Sequence, residues 1–332
     1  MFGSFFFIMY FSPSLLLVAA AYVFATPTAY EKFSPGPSAH TRNGTCKFPR
    51  STMFLAPRNT ESRLVDIGTS LPQLSQEIFL GIPFAHARRY EVADSLTSTW
   101  SSPKPATEFG IVCAGFGTNP RENWPVGEDC LNLNVVRPND TKSGSDMPVM
   151  VWIYGGGFRQ GTNRDPEFNT SYIVQTSIQI NHPVIVVSIN YRLSGFGFLD
   201  SDQVRAQGIT NLGIRDQWKA LEWIHENIEG FGGDPYKVTI WGESAGAFSV
   251  SDLLQAYGGN NRGLFHGAIM ASGTSFPRLA PDVGAAQVIY NNITNATGCG
   301  RAIDTLQCLR DREYSPSGGL RVERQLTRTS AL

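Results

Sequence analysis

Charge is scarce in this 332-residue chain. Asp, Glu, Lys and Arg make up 17% of it, and the formal net charge is −1. No long basic run occurs, so the electrostatic footprint of a nucleic-acid binder is missing. An uninterrupted membrane span is missing too. Ser12, Pro13 and Ser14 cut the apolar N-terminus, and neither half reaches the ~18 residues a span needs. Cysteine and histidine are sparse, at five each. What is present is a 42% hydrophobic composition, enough at this length to bury a large core in one big domain or two smaller ones.

The first charged side chain is Glu31, so the N-terminus also lacks the usual Lys or Arg ahead of its apolar run. "LLLVAAAYVFA" nevertheless reads as the apolar core of a secretory signal, with Val23 and Ala25 small enough to flank cleavage after Ala25. The expectation is a signal peptide over residues 1–25, a secreted product and no stable membrane span after cleavage. A signal-anchored membrane protein is the alternative. Glycosylation sequons at Asn43, Asn139, Asn169, Asn292 and Asn295 agree with secretion. In an oxidising compartment Cys113, Cys130, Cys299 and Cys308 suggest two short-loop disulfides. Cys46 is then the odd one, either free or paired between molecules.

Residues 26–61 are rich in Pro, Ser and Thr and read as an extended segment. From residue 62 to 312 the pattern is that of a globular α/β domain. "EIFLGIPFA" reads as a strand ending in a turn. "MPVMVWIY" and "HPVIVVSINY" are Val- and Ile-rich runs, as expected for strands covered on both faces. In "GIRDQWKALEWIHENIEGFGGDP", Ile214, Trp218, Leu221, Ile224 and Ile228 recur at helical spacing, and the glycines stop the helix. "KVTIW", "SAGAFSVSDLLQAY" and "HGAIMAS" follow as strand, helix and strand. This alternation predicts a mostly parallel central sheet with helices on both faces. Residues 313–332 lose the pattern and read as a polar tail.

Chemistry concentrates in two places. "VTIWGESAGAFSV" carries Gly242-Glu-Ser-Ala-Gly246 between a strand and a helix. A Gly-x-Ser-x-Gly is expected about 0.3 times by chance in a chain of this composition, so the flanking elements carry the signal. Flanking glycines permit a tight turn with Ser244 at its tip, and the new helix aims its first amides at the same point. "VWIYGGGFRQG" places consecutive glycines after a buried strand, where backbone N–H groups can approach a ligand closely. An ordinary flexible turn reads the same way.

Together with "FLGIPFA", "GEDCLNLNV", "INYRLSGFGFL", "NLGIRDQWKALEWIHENIEGFGGDP" and "AIMASG", these segments resemble the type-B carboxylesterase/lipase family, most of all its secreted fungal members. These are cholinesterase-like α/β-hydrolases. The resemblance runs in family order from about Val65 to Arg310. It implies an α/β-hydrolase fold and hydrolysis of a small-molecule or lipid carboxylic ester through an acyl-serine intermediate, with no metal or organic cofactor. It further implies Ser244 as nucleophile, with Gly156, Gly157 and Ala245 as oxyanion donors. It pairs Cys113 with Cys130, Cys299 with Cys308, and Arg89 with Glu128. Ser272 matches as a supporting residue and Glu243 as a buried hydrogen-bonding one; Asp216 and Arg215 read as structural ion-pairing groups. The short Cys113–Cys130 loop favours an esterase on accessible substrates over an interfacial lipase.

The base is the difficulty. In this fold the triad runs Ser, acid, His. His266 alone follows Ser244, in a packing position. His40, His86, His182 and His225 precede it, and His225 reads as a surface residue on its helix. Asp252, Asp282, Asp304 and Asp311 follow the serine outside any matching context. The expectation is that the C-terminal part of the domain, with acid and His, is missing, and that the chain as printed is close to inactive. The tail after Arg312 fits an interrupted reading frame. The alternatives are a genuinely truncated, catalytically dead product or a cholinesterase-like binding and adhesion domain. Retention of Ser244 with the glycines speaks against the binding domain.

Overall fold

The computed structural model describes residues 35–41, 64–96, 104–115, 124–274 and 282–314, with backbone alone at 35–41 and 64–67. The expected signal peptide, Asn43, Cys46 and the tail beyond residue 314 lie outside these residues. Apart from two-residue strands, the strands are β1 Pro35–Thr41, β2 Leu64–Leu71, β3 Gln76–Pro83, β4 Asn132–Pro138, β5 Met147–Ile153, β6 Ile185–Ile189, β7 Gly233–Glu243 and β8 Gly267–Ala271. The helices are α1 Ser171–Gln179, α2 Ser194–Phe198, α3 Asp202–Ala206, α4 Leu212–Asn227, α5 Ala245–Gln255, α6 Val283–Ala296 and α7 Thr305–Arg310.

The sheet runs in the order β1-β2-β3-β4-β6-β5-β7-β8. It has two halves. β1 through β4 and the β4–β6 pair are antiparallel; β6, β5, β7 and β8 are parallel. The parallel half carries the glycine loop after β5 and the serine turn after β7, at the carboxyl ends of neighbouring strands. Parallel neighbours need crossover connections, which α1 provides between β5 and β6 and α5 between β7 and β8.

Successive side chains of a strand point to opposite faces, and the core divides accordingly. Val135, Val149, Val151 and Val187 pack with Leu221 and Ile224 of α4 and Val250 and Leu253 of α5. Their neighbours Val136 and Val186, with Met150, pack with Val174 and Ile178 of α1 on the other side. Helices thus cover both faces. Of the stripe the spacing predicts, Leu221 and Ile224 are fully buried, Trp218 nearly so and Ile214 partly, while Ile228 is fully buried just beyond the end of α4.

A smaller core joins α6 and α7 to the rest through Tyr90, Leu199, Tyr290, Ile293, Leu306 and Leu309. Two disulfides close, Cys113–Cys130 and Cys299–Cys308, with Cα separations of 4.9 and 5.6 Å. Arg89 links the regions they staple. Its guanidinium donates to both Glu128 carboxylate oxygens, at 2.9 and 2.5 Å, and to the carbonyls of Leu309 and Arg312 at the end of α7. The last carbonyls of a helix have no intrahelical donor, and here a distant arginine supplies one.

Candidate active site

The turn after β7 explains both glycines of its motif. A Cβ on Gly242 would lie 2.3 Å from the carbonyl of Gly246, and one on Gly246 would lie 2.0 Å from the carbonyl oxygen of Ile153. Only hydrogen fits at either position. Ser244 between them is held at φ 52° and ψ −119°, a conformation that costs an L-residue on the order of 1–3 kcal/mol. Its N–H donates to Ala271 of β8 at 2.9 Å, and its carbonyl accepts from Phe248 within α5. The strain is therefore fixed from both sides. Ser272 follows β8 at φ 57°, and a Cβ on the next residue, Gly273, would lie 2.7 Å from the Ser244 carbonyl.

The glycine loop closes on the serine from β5. A Cβ on Gly155 would lie 3.1 Å from Ser244 Cβ and 2.9 Å from Glu243 Oε2. Gly156 and Gly157 have φ of 99° and 65°, open to glycine and rare for other residues. Gly157 is exposed and faces open space except for the Arg159 side chain. The N–H groups of Gly156, Gly157 and Ala245 have no acceptor among the described residues. Ala245 opens α5, where amides are unpaired and the helix dipole favours negative charge.

Buried groups hold this loop in place. Tyr154, just before it, stacks on Tyr191 with ring centroids 4.5 Å apart. Burial pushes both phenols well above their ordinary range, so they remain protonated donors. Beyond the loop, Asn163 donates from its backbone to Asn190 Oδ1 at 2.9 Å and from its side chain to Asn132. Asn134 donates to the Asn163 carbonyl and to Ser188, and accepts from the N–H of Gly81. All four asparagines are buried. Asp216 is fully buried and makes a bidentate pair with Arg192, both contacts at 2.7 Å. Burial pushes its carboxyl up and Arg192 opposes that. Its partner is therefore Arg192, while Arg215 has no carboxylate partner among the described residues.

No histidine stands near the serine among the described side chains. His266 places its Nδ1 2.9 Å from the Val238 carbonyl, six residues before Ser244 on an extended strand, hence about 20 Å away. His86 is exposed and contacts Asp129 at 3.3 Å. His182 is exposed. His225 differs from the expected surface residue: it is half-buried against Tyr236, and its Nδ1 has no partner. His40 lies in β1, where the backbone alone is described. Among the described residues no cluster of side chains fits a metal, and no helix is long and apolar enough to cross a membrane.

A serine at a strained strand–helix turn, faced by a glycine loop at the carboxyl ends of parallel strands, defines an α/β-hydrolase. The model of the carboxylesterase family matches residues 67–316, and the chain belongs to that family. It is 42% identical over 267 residues to secreted lipase 1 of Botryotinia fuckeliana, covering 72% of this chain and 46% of the relative. It is 39% identical over 275 residues to lipase 4 of Diutina rugosa, covering 74% and 49%. Among solved structures, Aspergillus niger EstA aligns with a TM-score of 0.69 at 34% identity, covering 78% of this chain and 49% of that one. A thermophilic pNB esterase aligns at 0.68 and 31%, covering 81% and 53%. The chain thus spans about half the length of the relatives it matches.

Proposed function

We propose that this chain carries the nucleophile and oxyanion half of a serine carboxylic-ester hydrolase. The observation that carries the reading is Ser244 held in a strained turn with Gly155 packed against it. Ser244 Oγ attacks the ester carbonyl carbon, the N–H groups of Gly156, Gly157 and Ala245 receive the oxyanion, and the alcohol leaves. Water then releases the acid from the acyl-serine. A base must take the Ser244 proton, and none of the described histidine side chains is placed for it. The base and its orienting acid are therefore not among the described side chains. Loss of the catalytic His in a serine hydrolase lowers kcat by ~10⁶.

The substrate class is carboxylic esters. The names of the relatives in Botryotinia and Diutina favour acyl-lipid esters; the short Cys113–Cys130 loop, with a sequence separation of 17, favours accessible soluble esters. The names of secreted relatives also favour export of this protein after cleavage behind Ala25. Asn169, Asn292 and Asn295 are exposed and are the better glycan acceptors. Asn139 has its side-chain oxygen buried.

The test compares the purified chain with the same chain fused to the C-terminal half of a fungal relative, using a simple aryl ester. The fused form is expected to turn over, and Ser244→Ala to abolish it. A folded but inert fusion would refute the assignment of Ser244. Turnover by the unfused chain that vanished in Ser244→Ala would instead place a base within it.

A further inference from the structure

The glycine loop runs out into a cation, Arg159, that meets no carboxylate among the described residues. Exposure rises along the loop: Gly155 is buried, Gly156 half-buried, and Gly157 and Arg159 exposed. A Cβ on Gly155 would touch Glu243 and Ser244, whereas one on Gly157 would find, among the described residues, only Arg159 Nε at 3.8 Å. The guanidinium therefore flanks the open side of a proposed oxyanion donor. Other arginines are engaged. Arg89, Arg137, Arg192, Arg205 and Arg262 pair with carboxylates, and Arg164 lies over the rings of Phe109 and Trp124.

The backbone beneath this cation is fixed. The N–H groups of Arg159 and Gln160 both donate to the Gly156 carbonyl, at 3.2 Å each. Ser194, at the start of α2, donates its N–H to the Phe158 carbonyl at 2.8 Å and its hydroxyl to the Arg159 carbonyl at 3.1 Å. The Phe158 ring packs against Phe198 with centroids 4.8 Å apart. The root of the Arg159 side chain thus keeps its place relative to the oxyanion glycines.

We infer that Arg159 selects anionic esters: it binds a free carboxylate or phosphate that the substrate carries beside its scissile ester. The inference rests on the hydrolase reading and deepens it. A guanidinium has five donors and no acceptor, and it meets a carboxylate or phosphate as a two-pronged fork. A substrate seated on Gly157 from its open side meets this fork first. A neutral hydrocarbon arm laid there would strip water from a charge and return no bond. An anionic arm replaces that water with a charge-assisted pair. The amides at the head of α5 carry the same sign, so the site favours negative charge twice over. The opposing carboxylate, Glu243, lies at the inner end of the loop against Gly155.

The test uses the full chain fused to the C-terminal half of a fungal relative and two aryl esters, mono-4-nitrophenyl adipate and 4-nitrophenyl hexanoate. They differ in a terminal carboxylate against a methyl group. The ratio of their kcat/KM values, above the spontaneous rates, should favour the adipate and fall with added salt. In R159Q the ratio should drop about fivefold or more, the worth of one solvent-screened charge pair, with R159K in between. A ratio that R159Q leaves unchanged would overturn the inference, even if both esters slowed together, since that would mark a general role at the oxyanion. If the fusion cleaves neither ester, the hydrolase reading is what fails, and labelling of the unfused chain by phenylglyoxal decides the inference. Monomethyl adipate or methyl phosphate, at matched ionic strength, should slow labelling at residue 159 more than at the exposed Arg301. The anion that protects tells carboxylate from phosphate; equal protection of both arginines would overturn the inference.

Discussion

Tyr191 donates its hydroxyl to the carbonyl of Tyr154 at 2.8 Å, and Tyr154 returns a hydrogen bond to the carbonyl of Tyr191 at 3.2 Å. The two residues are fully buried and stacked. Each stands just before a functional segment, the glycine loop in one case and Arg192 in the other. Tyr191→Phe keeps the stack but leaves the Tyr154 carbonyl without its donor. A loss of about 1–2 kcal/mol is expected, read as a lower urea midpoint with unchanged slope.

Ser244 gives a prediction of opposite sign. Its φ of 52° with ψ −119° suits glycine far better than serine. Ser244→Gly should therefore stabilise the protein by about 1 kcal/mol, seen as a raised thermal midpoint, while Ser244→Ala, which keeps the Cβ, should not. A stability gained by deleting the proposed nucleophile would mark the serine as retained against the interest of folding.

Arg89 ties the Glu128 carboxylate to the end of α7. Arg89→Met preserves the aliphatic stem and removes the donors. The expected loss is about 2 kcal/mol, given a side chain only partly screened by solvent. Amide exchange should quicken in α7 more than in the central sheet, because the helix end loses its external cap.

Replacing Cys299 and Cys308 together by serine opens a loop with a sequence separation of 9. The chain-entropy model assigns such a loop about 2.5 kcal/mol. Non-reducing peptide mapping of the parent protein should return the 113–130 and 299–308 pairs; a 113–299 or 113–308 link would contradict the fold drawn here.

Much of this was legible in the sequence because it is local. The α4 stripe repeats within one helix, and Gly242, Ser244 and Gly246 lie within one turn. The glycine loop is adjacent to a Val-rich strand. What escaped is long-range. The antiparallel half of the sheet does not announce itself, since β3 and β4 are covered by packing as β5 and β6 are, and a strand buried on both faces carries no mark of direction. Asp216 and Arg215 were both readable as ion-pairing residues, but only Asp216 finds its partner among the described residues, in Arg192, 24 residues back along the chain; on a helix, adjacent residues point to different sides.

The asparagine lattice of Asn132, Asn134, Asn163 and Asn190 behind the glycine loop has a consequence of its own. Carboxamides neither gain nor lose a proton over any range a protein survives. Moorings of aspartate or histidine would slacken as the medium soured; these four ignore acidity and, being uncharged, ignore salt as well. That leaves the buried Asp216–Arg192 pair as the loop support that feels a souring medium.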